Sequence, residues 1–162
     1  MAEMKFHSVG PVREESVSQV TATPSVALGT RVVVKGEEYV YCYNAGGAAV
    51  DQKDGVKFVT GASGYSIAAT SLTDVFNPCV GVCKHSTMAA ADYGWIMTKG
   101  FASVNLVSAS TADYKQIALG AAGSFIEASG TTTLGTAVAV GYLLSHNTAA
   151  AGVAYAFIKT NA

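Results

Sequence analysis

Charge is scarce in this 162-residue chain: 13% of its residues are Asp, Glu, Lys or Arg, where a soluble domain ordinarily has about 25%. Ten basic residues stand against 11 acidic ones, so nothing favours a polyanion and nucleic acid is not an expected partner. A free monomer normally keeps its surface charged, whereas the cores of interfaces are depleted in charge. The deficit therefore points to surface buried by oligomerisation or assembly. Long apolar runs are also missing. None nears the roughly 18 residues of a membrane helix, and no membrane partner is expected. The opening MAEMKFHSVGPVREES has neither the apolar core nor the cleavage site of a secretory signal, which predicts synthesis and folding in a cytosol. Three cysteines, an odd number, describe no disulfide framework.

Small and apolar residues are plentiful: 50% of the chain is hydrophobic, and 17 residues are glycine. A chain of this length favours one compact domain and can bury roughly 68–70% of its unfolded surface without a disulfide or metal staple. Residues 1–28 differ from the rest. They hold Arg13, Glu14 and Glu15, two of the three prolines (Pro11 and Pro24) and many Ser and Thr. Each proline removes a backbone donor and disfavours helix, which predicts an extended N-terminal arm. Residues 29–162 are expected to form a single β-rich domain.

From residue 30 the pattern is that of strands. Arg31–Lys35 is a β-branched run, Lys35-Gly36-Glu37-Glu38 reads as a turn, and Tyr39–Tyr43 alternates strictly. Period two puts Tyr39, Tyr41 and Tyr43 on one face, with Val40 and Cys42 on the other. Further strands are predicted over 56–60, 65–69, 75–85, 93–99, 101–107, 114–119, 124–128, 136–145 and 153–159. Their spacing of about 8–12 residues, with turn residues between, is that of an all-β barrel or sandwich. Thr87–Asp92 and Thr148–Gly152 are Ala-rich but too short for independent helices.

The strands also repeat. Val80-Gly81, Ala89–Ala91 and the strand with Trp95 and Met97 recur 60 residues on as Val140-Gly141, Ala149–Ala151 and the strand with Tyr155 and Phe157. Upstream, Phe58–Gly64 matches Ile117–Gly123 at an offset of 59. The expectation is two similar β units, about 60 residues apart, around a common core.

Candidate chemistry fails piece by piece. Cys79-Val80-Gly81-Val82-Cys83-Lys84-His85 brings soft ligands together, but on a strand Cys79 and Cys83 would share a face about 13 Å apart at roughly 3.3 Å per residue. Neither one zinc nor a disulfide spans that, and buried apolar cysteine is the better reading. His7, His85 and His146 are the only histidines, no GxSxG nucleophile elbow occurs, and Ser63 of Gly61-Ala62-Ser63-Gly64 is replaced by Ala122 in the repeat. Glu14-Glu15, Glu37-Glu38 and Asp51/Asp54 read as solvated charge. Asp51-Gln52-Lys53-Asp54-Gly55 lacks the spaced ligands and closing Glu of a calcium loop. No phosphate loop or dinucleotide fingerprint is present. No catalytic, cofactor-binding or metal residue is therefore assigned, no cofactor is expected, and the chain reads as a non-enzyme. Trp95 reads as a core or interface anchor. The tyrosine stripe at 39, 41 and 43 would suit either a packed sheet face or a stacking platform for sugars.

Three strings carry a resemblance. VGVCKHSTMAAADYGWIMTKGFASVNLV resembles the run of VG-strand, Ala turn, YGW-strand and G-strand in small head proteins of tailed phages. GEEYVYCYNAGGAAVDQKDGVKF is similar to the GxEYxYVYN segment of the same proteins, and IALGAAGSFIEASGTTTLGTAVAVGYLLSHNTAAAGVAYAFI resembles the closing half of head decoration, or capsid cement, proteins. The similarity covers residues 30–159. It implies a virion structural protein on the outer capsid surface, assembled in the host cytoplasm. The implied partners are the phage major capsid protein and the chain itself, as a homo-oligomer of the trimeric kind, and its role is to clamp neighbouring capsid subunits. The alternative is a phage fibre, tail or vertex protein that binds host-surface glycans.

Overall fold

The computed structural model describes residues 14–59, 64–69, 79–107, 113–120, 122–127, 140–145 and 152–160. They form ten strands: β1 (Arg31–Val34), β2 (Glu37–Asn44), β3 (Gly55–Phe58), β4 (Ser66–Ala69), β5 (Cys79–Val82), β6 (Tyr93–Leu106), β7 (Gln116–Leu119), β8 (Phe125–Glu127), β9 (Gly141–Leu143) and β10 (Gly152–Lys159). Their order is β1-β2-β4-β3-β5-β6-β10-β9-β7-β8, and β6 pairs additionally with β2 and β8. Those two extra pairings close the sheet twice. One ring is β2-β4-β3-β5-β6, the other is β6-β10-β9-β7-β8, and each contains a single parallel pair, β2–β4 and β6–β8. The fold is thus all-β, and between barrel and sandwich the closures decide for barrels.

The repeat is visible in the register. Val82 pairs with Met97 in the first ring, and Tyr142 pairs with Phe157, 60 positions on, in the second. The glycines preceding these residues serve one purpose twice. A Cβ on Gly81 would lie 2.1 Å from the Met97 carbonyl oxygen, and one on Gly141 would lie 2.1 Å from that of Phe157. Only a residue without a side chain lets the neighbouring backbone come so close. Of the GAxG turns, residues 61–63 and 121 lie outside the described residues, as do the Ala-rich turn at 149–151 and residues 75–78 and 136–139 of two expected strands.

Several expected boundaries differ: the strand expected over 75–85 stops at Val82, and residues 83–85 form a loop after β5. Lys35 and Gly36 alone make the β1–β2 turn, both with positive φ (51° and 83°), which matches the twist of a two-residue hairpin and leaves Glu37 and Glu38 in β2. The strands predicted over 93–99 and 101–107 are one strand of 14 residues, β6. It passes through Gly100, whose φ of 140° and closeness to Glu37 exclude a side chain there.

β6 belongs to both rings, and an irregularity lets it do so. Glu38 pairs with Lys99 but Tyr39 with Met97, so Thr98 is an extra residue opposite β2. Such a bulge shifts the alternation by one and moves every following side chain to the opposite face. Ile96 points into the first ring with Val40, Cys42, Val56, Ile67 and Val80, drawn from all five strands. Beyond the bulge, Ala102, Val104 and Leu106 turn inward on the second ring, with Ile117, Phe125, Leu143 and Ile158. These join the cluster that holds Tyr39, Trp95 and Met97, on the first ring's outer face. The rings therefore curl to opposite faces of their shared strand.

Residues 14–28, the described part of the expected arm, run across the first ring. A single helical turn, Glu14–Val17, leads in, Thr21 bridges to Tyr93, and Val17 is buried in the outer cluster with Val26 packed against it. The Tyr41 hydroxyl accepts from the Ser25 amide at 3.0 Å and bonds its hydroxyl at 3.1 Å. Residues 1–13 lie outside the described residues.

Because both glycines face a backbone carbonyl that cannot swing away, Gly81→Ala and Gly141→Ala should destabilise to a similar degree. Each should cost about 1–3 kcal/mol or more in a denaturant titration. A neutral result at either position would count against the duplicated close approach.

Candidate functional site

The cysteine–histidine segment was the first candidate for chemistry. Cys79 and Cys83 do not share a face. Cys79 lies in the cluster with Tyr39 and Val82, whereas Cys83 lies in the first ring's interior with Val80. The cause is a register shift: Val56 pairs with Gly81 but Lys57 with Cys79, so Val80 is an extra residue that breaks the expected alternation. Cys79 Sγ bonds the Gly81 carbonyl at 3.6 Å and Cys83 Sγ the Ser86 carbonyl at 2.9 Å. Burial pushes the thiols of Cys42, Cys79 and Cys83 up to about 12, so each is an uncharged apolar group at neutral pH. Among the described residues, no three His, Cys, Asp or Glu side chains converge as metal ligands would.

His85 takes part in a side-chain network. The Tyr39 hydroxyl donates to Glu37 Oε2 at 2.6 Å, which leaves His85 Nε2 as donor in its 2.9 Å contact with the same hydroxyl. The two rings also stack, with centroids 5.6 Å apart. Lys84 Nζ closes the group with a bond of 2.6 Å to Glu37 Oε2. Burial pulls the Glu37 carboxyl up, but the bonds from Lys84 and Tyr39 outweigh it and hold the group below its ordinary value. This arrangement fixes the loop after β5 against β2. Lys84 and His85 form one wall of a shallow cleft of about 310 Å³ whose other wall is Phe101 and Tyr155. His7 and His146 lie outside the described residues.

The Asp51–Gly55 turn is a joint between the rings. Asp54 Oδ1 accepts from Asn105 Nδ2 at 3.0 Å and Oδ2 from the Asp51 amide at 3.1 Å. The Gly55 amide donates to Gly123 of the second ring at 2.7 Å. Gly123, with φ of 79°, leaves room for the Asp54 carboxyl, which a Cβ there would meet at 2.4 Å. Burial raises the Asp54 carboxyl, opposed by the bonds from Asn105 and Asp51. Both carboxylate oxygens are thus committed to structure.

The tyrosine stripe divides. Tyr39 and Tyr41 are 2% and 1% exposed, and Tyr41 packs on Trp95 with centroids 5.0 Å apart; only Tyr43 is partly exposed. It is a packed sheet face over most of its length. Among the described residues, a more open aromatic surface lies on the second ring. On the second ring Phe101 pairs with Phe157 and Phe157 with Tyr142. The Phe101 ring stacks on Tyr155 at 6.1 Å and tilts against Phe157 at 5.1 Å. Phe101 and Tyr155 are 46% exposed, Tyr142 and Val153 49%. The repeat was the available signal. Sixty positions earlier, Tyr155 and Phe157 correspond to Trp95 and Met97, which are buried.

Phe101 and Tyr155 thus belong both to this open aromatic surface and to the cleft beside Lys84 and His85. No protein-family profile and no curated protein matches the chain. Among solved structures, the chain is similar in fold to the head fiber gp8.5 N base of bacteriophage phi29. The TM-score is 0.52 at 10% identity, and the match covers 75% of this chain and 94% of that one.

Two outcomes follow. The native protein should be inert to a thiol reagent at pH 8 and should release three reactive thiols on unfolding, read by absorbance. Asn105→Ala should cost about 1–3 kcal/mol by leaving the Asp54 carboxylate short of a donor. Because the Asp54 carboxyl is raised in the fold, its charged form is the unfavourable one. The deficit should therefore be largest at neutral pH and shrink as pH falls through the raised value, in urea titrations across that range.

Proposed function

We propose that this chain is a non-enzymatic structural protein of a tailed-phage head. It sits on the outside of the shell and acts as a decoration or cement protein between major capsid subunits. The observation that carries the reading is the shared fold with a phage head fiber base, which extends over 94% of that chain. Three further features support it: the sequence strings at 30–159 that resemble phage head proteins, the low charge, and an Asp54 carboxylate spent on the joint between the two rings. A cement role needs area and many weak contacts repeated over a shell, where multivalency multiplies modest affinities.

A second reading, a fibre or vertex protein, is favoured by the name of the structural neighbour. Its glycan-binding form cannot use the Tyr39–Tyr41 stripe, which is buried. The two readings differ in number and place of copies. Purified heads lacking the protein should bind added protein saturably, and electron cryomicroscopy should find it at repeated sites between capsid subunits. The shell's melting temperature should rise. Binding confined to one vertex or the tail would favour the fibre reading, and no binding to heads would overturn both. Deleting residues 2–13, which leaves Val17 and its packing in place, should lower head occupancy if the arm contributes to attachment.

A further inference from the structure

Residues 22–28 differ from the strands beneath them in how little holds them down. They arch over Tyr41 between two firm ends. At one end Thr21 and Tyr93 exchange backbone bonds of 3.0 and 2.8 Å; at the other the Gly29 amide donates to the Tyr41 carbonyl at 2.9 Å. Gly29 has φ of 82° and lies against the Tyr65 ring, which a side chain there would strike. Between these ends six of the seven residues are exposed, and Val26 alone is half-buried. Apart from local bonds of Thr21 to Thr23 and of Thr30 to Ala27, the segment has one hydrogen-bonding partner among the described residues. It is the Tyr41 hydroxyl.

That hydroxyl is fully used. It accepts from the Ser25 amide at 3.0 Å and from the Ser25 hydroxyl at 3.1 Å. Thr21 Oγ1 gives its own proton to the Thr23 carbonyl at 2.7 Å, so it is the acceptor in its 3.4 Å contact with Tyr41. The Tyr41 ring is 1% exposed and packs on Trp95, which makes it a fixed post. We infer that residues 22–28 are a lid, latched by the Tyr41 hydroxyl, that opens while both rings stay folded. A segment with one polar anchor and one half-buried valine opens far more readily than the strands of a closed barrel. What it uncovers is the inner end of an aromatic row. Tyr43 and Tyr93, with centroids 4.8 Å apart, are already partly exposed, and Tyr41 follows Tyr93 at 6.4 Å. Opening extends the accessible row from two rings to three. The inference goes beyond the proposed head function and does not depend on it.

The test is amide hydrogen exchange, residue by residue, by NMR on the full chain at urea concentrations below unfolding. The reference is Asn44 in β2, whose amide donates to the Asp92 carbonyl at 2.8 Å. The Ser25 amide should exchange at least about tenfold faster than that of Asn44, at a rate urea leaves unchanged. Exchange at Asn44 should quicken with urea, as global opening does. Tyr41→Phe keeps the packed ring and removes the latch, so exchange at Ser25 should rise about tenfold and stay insensitive to urea. A Ser25 amide as slow as that of Asn44, quickening in step with it, overturns the proposal. So does a Tyr41→Phe variant whose Ser25 exchange is unchanged. Should that variant fail to fold, Ser25→Ala at an exposed position removes one of the two bonds. Exchange at that amide should then quicken several-fold after correction for its intrinsic rate, and no change there overturns the latch.

Discussion

The fold rests on a single demand placed on β6: one strand must serve as a wall of two closed barrels. A regular strand shows alternate residues to two faces, and a barrel needs one of those faces for its interior. The extra residue at Thr98 meets the demand by shifting the alternation partway along, so that Ile96 fills one ring and Ala102 the other. Thr98 is itself buried, and its polar atoms are used. Its hydroxyl bonds the Glu38 carbonyl at 3.3 Å, and its carbonyl takes the Thr160 amide at 2.9 Å. A bulge buried without such partners would be costly.

That switch has a consequence for the molecule's surface. Because the rings curl to opposite faces, the outer wall of the first becomes continuous with the interior of the second. Val82 and Met97 are thereby buried in the cluster that also holds Phe125 and Ile158. The second ring's outer wall is half-exposed at Phe101, Tyr142 and Tyr155. Two copies of one structural plan thus present unequal surfaces.

The polar groups that first attract attention are all drawn inward or into pairs. Asp54 spends its carboxylate on the joint between rings. Asn44, fully buried, donates to the carbonyls of Ala48, Met88 and Ala89, each at 3.0 Å, and so pins the Ala-rich turn to the end of β2. His85 and Glu37 meet through Tyr39. In a chain with so few charged side chains, the buried polar ones satisfy backbone and each other.

Much of this was legible in the chain. The β class, most strand positions from Arg31 onward, a turn beginning at Lys35-Gly36 and the 60-residue repeat follow from local chemistry: β-branched runs, turn glycines and alternation act over a few residues and need no partner to be read. Even Gly81 and Gly141 announced themselves as equivalent. Strand identity across Gly100, the opposite faces of Cys79 and Cys83, and the burial of Tyr39 and Tyr41 were beyond it. Each depends on a one-residue shift against a strand far away in sequence, and a shift leaves no mark in composition. The sequence determined which segments are strands and that they come in two sets. Only the tertiary structure decided which face of each strand is inside, because that depends on a bulge whose partner is some 60 residues distant.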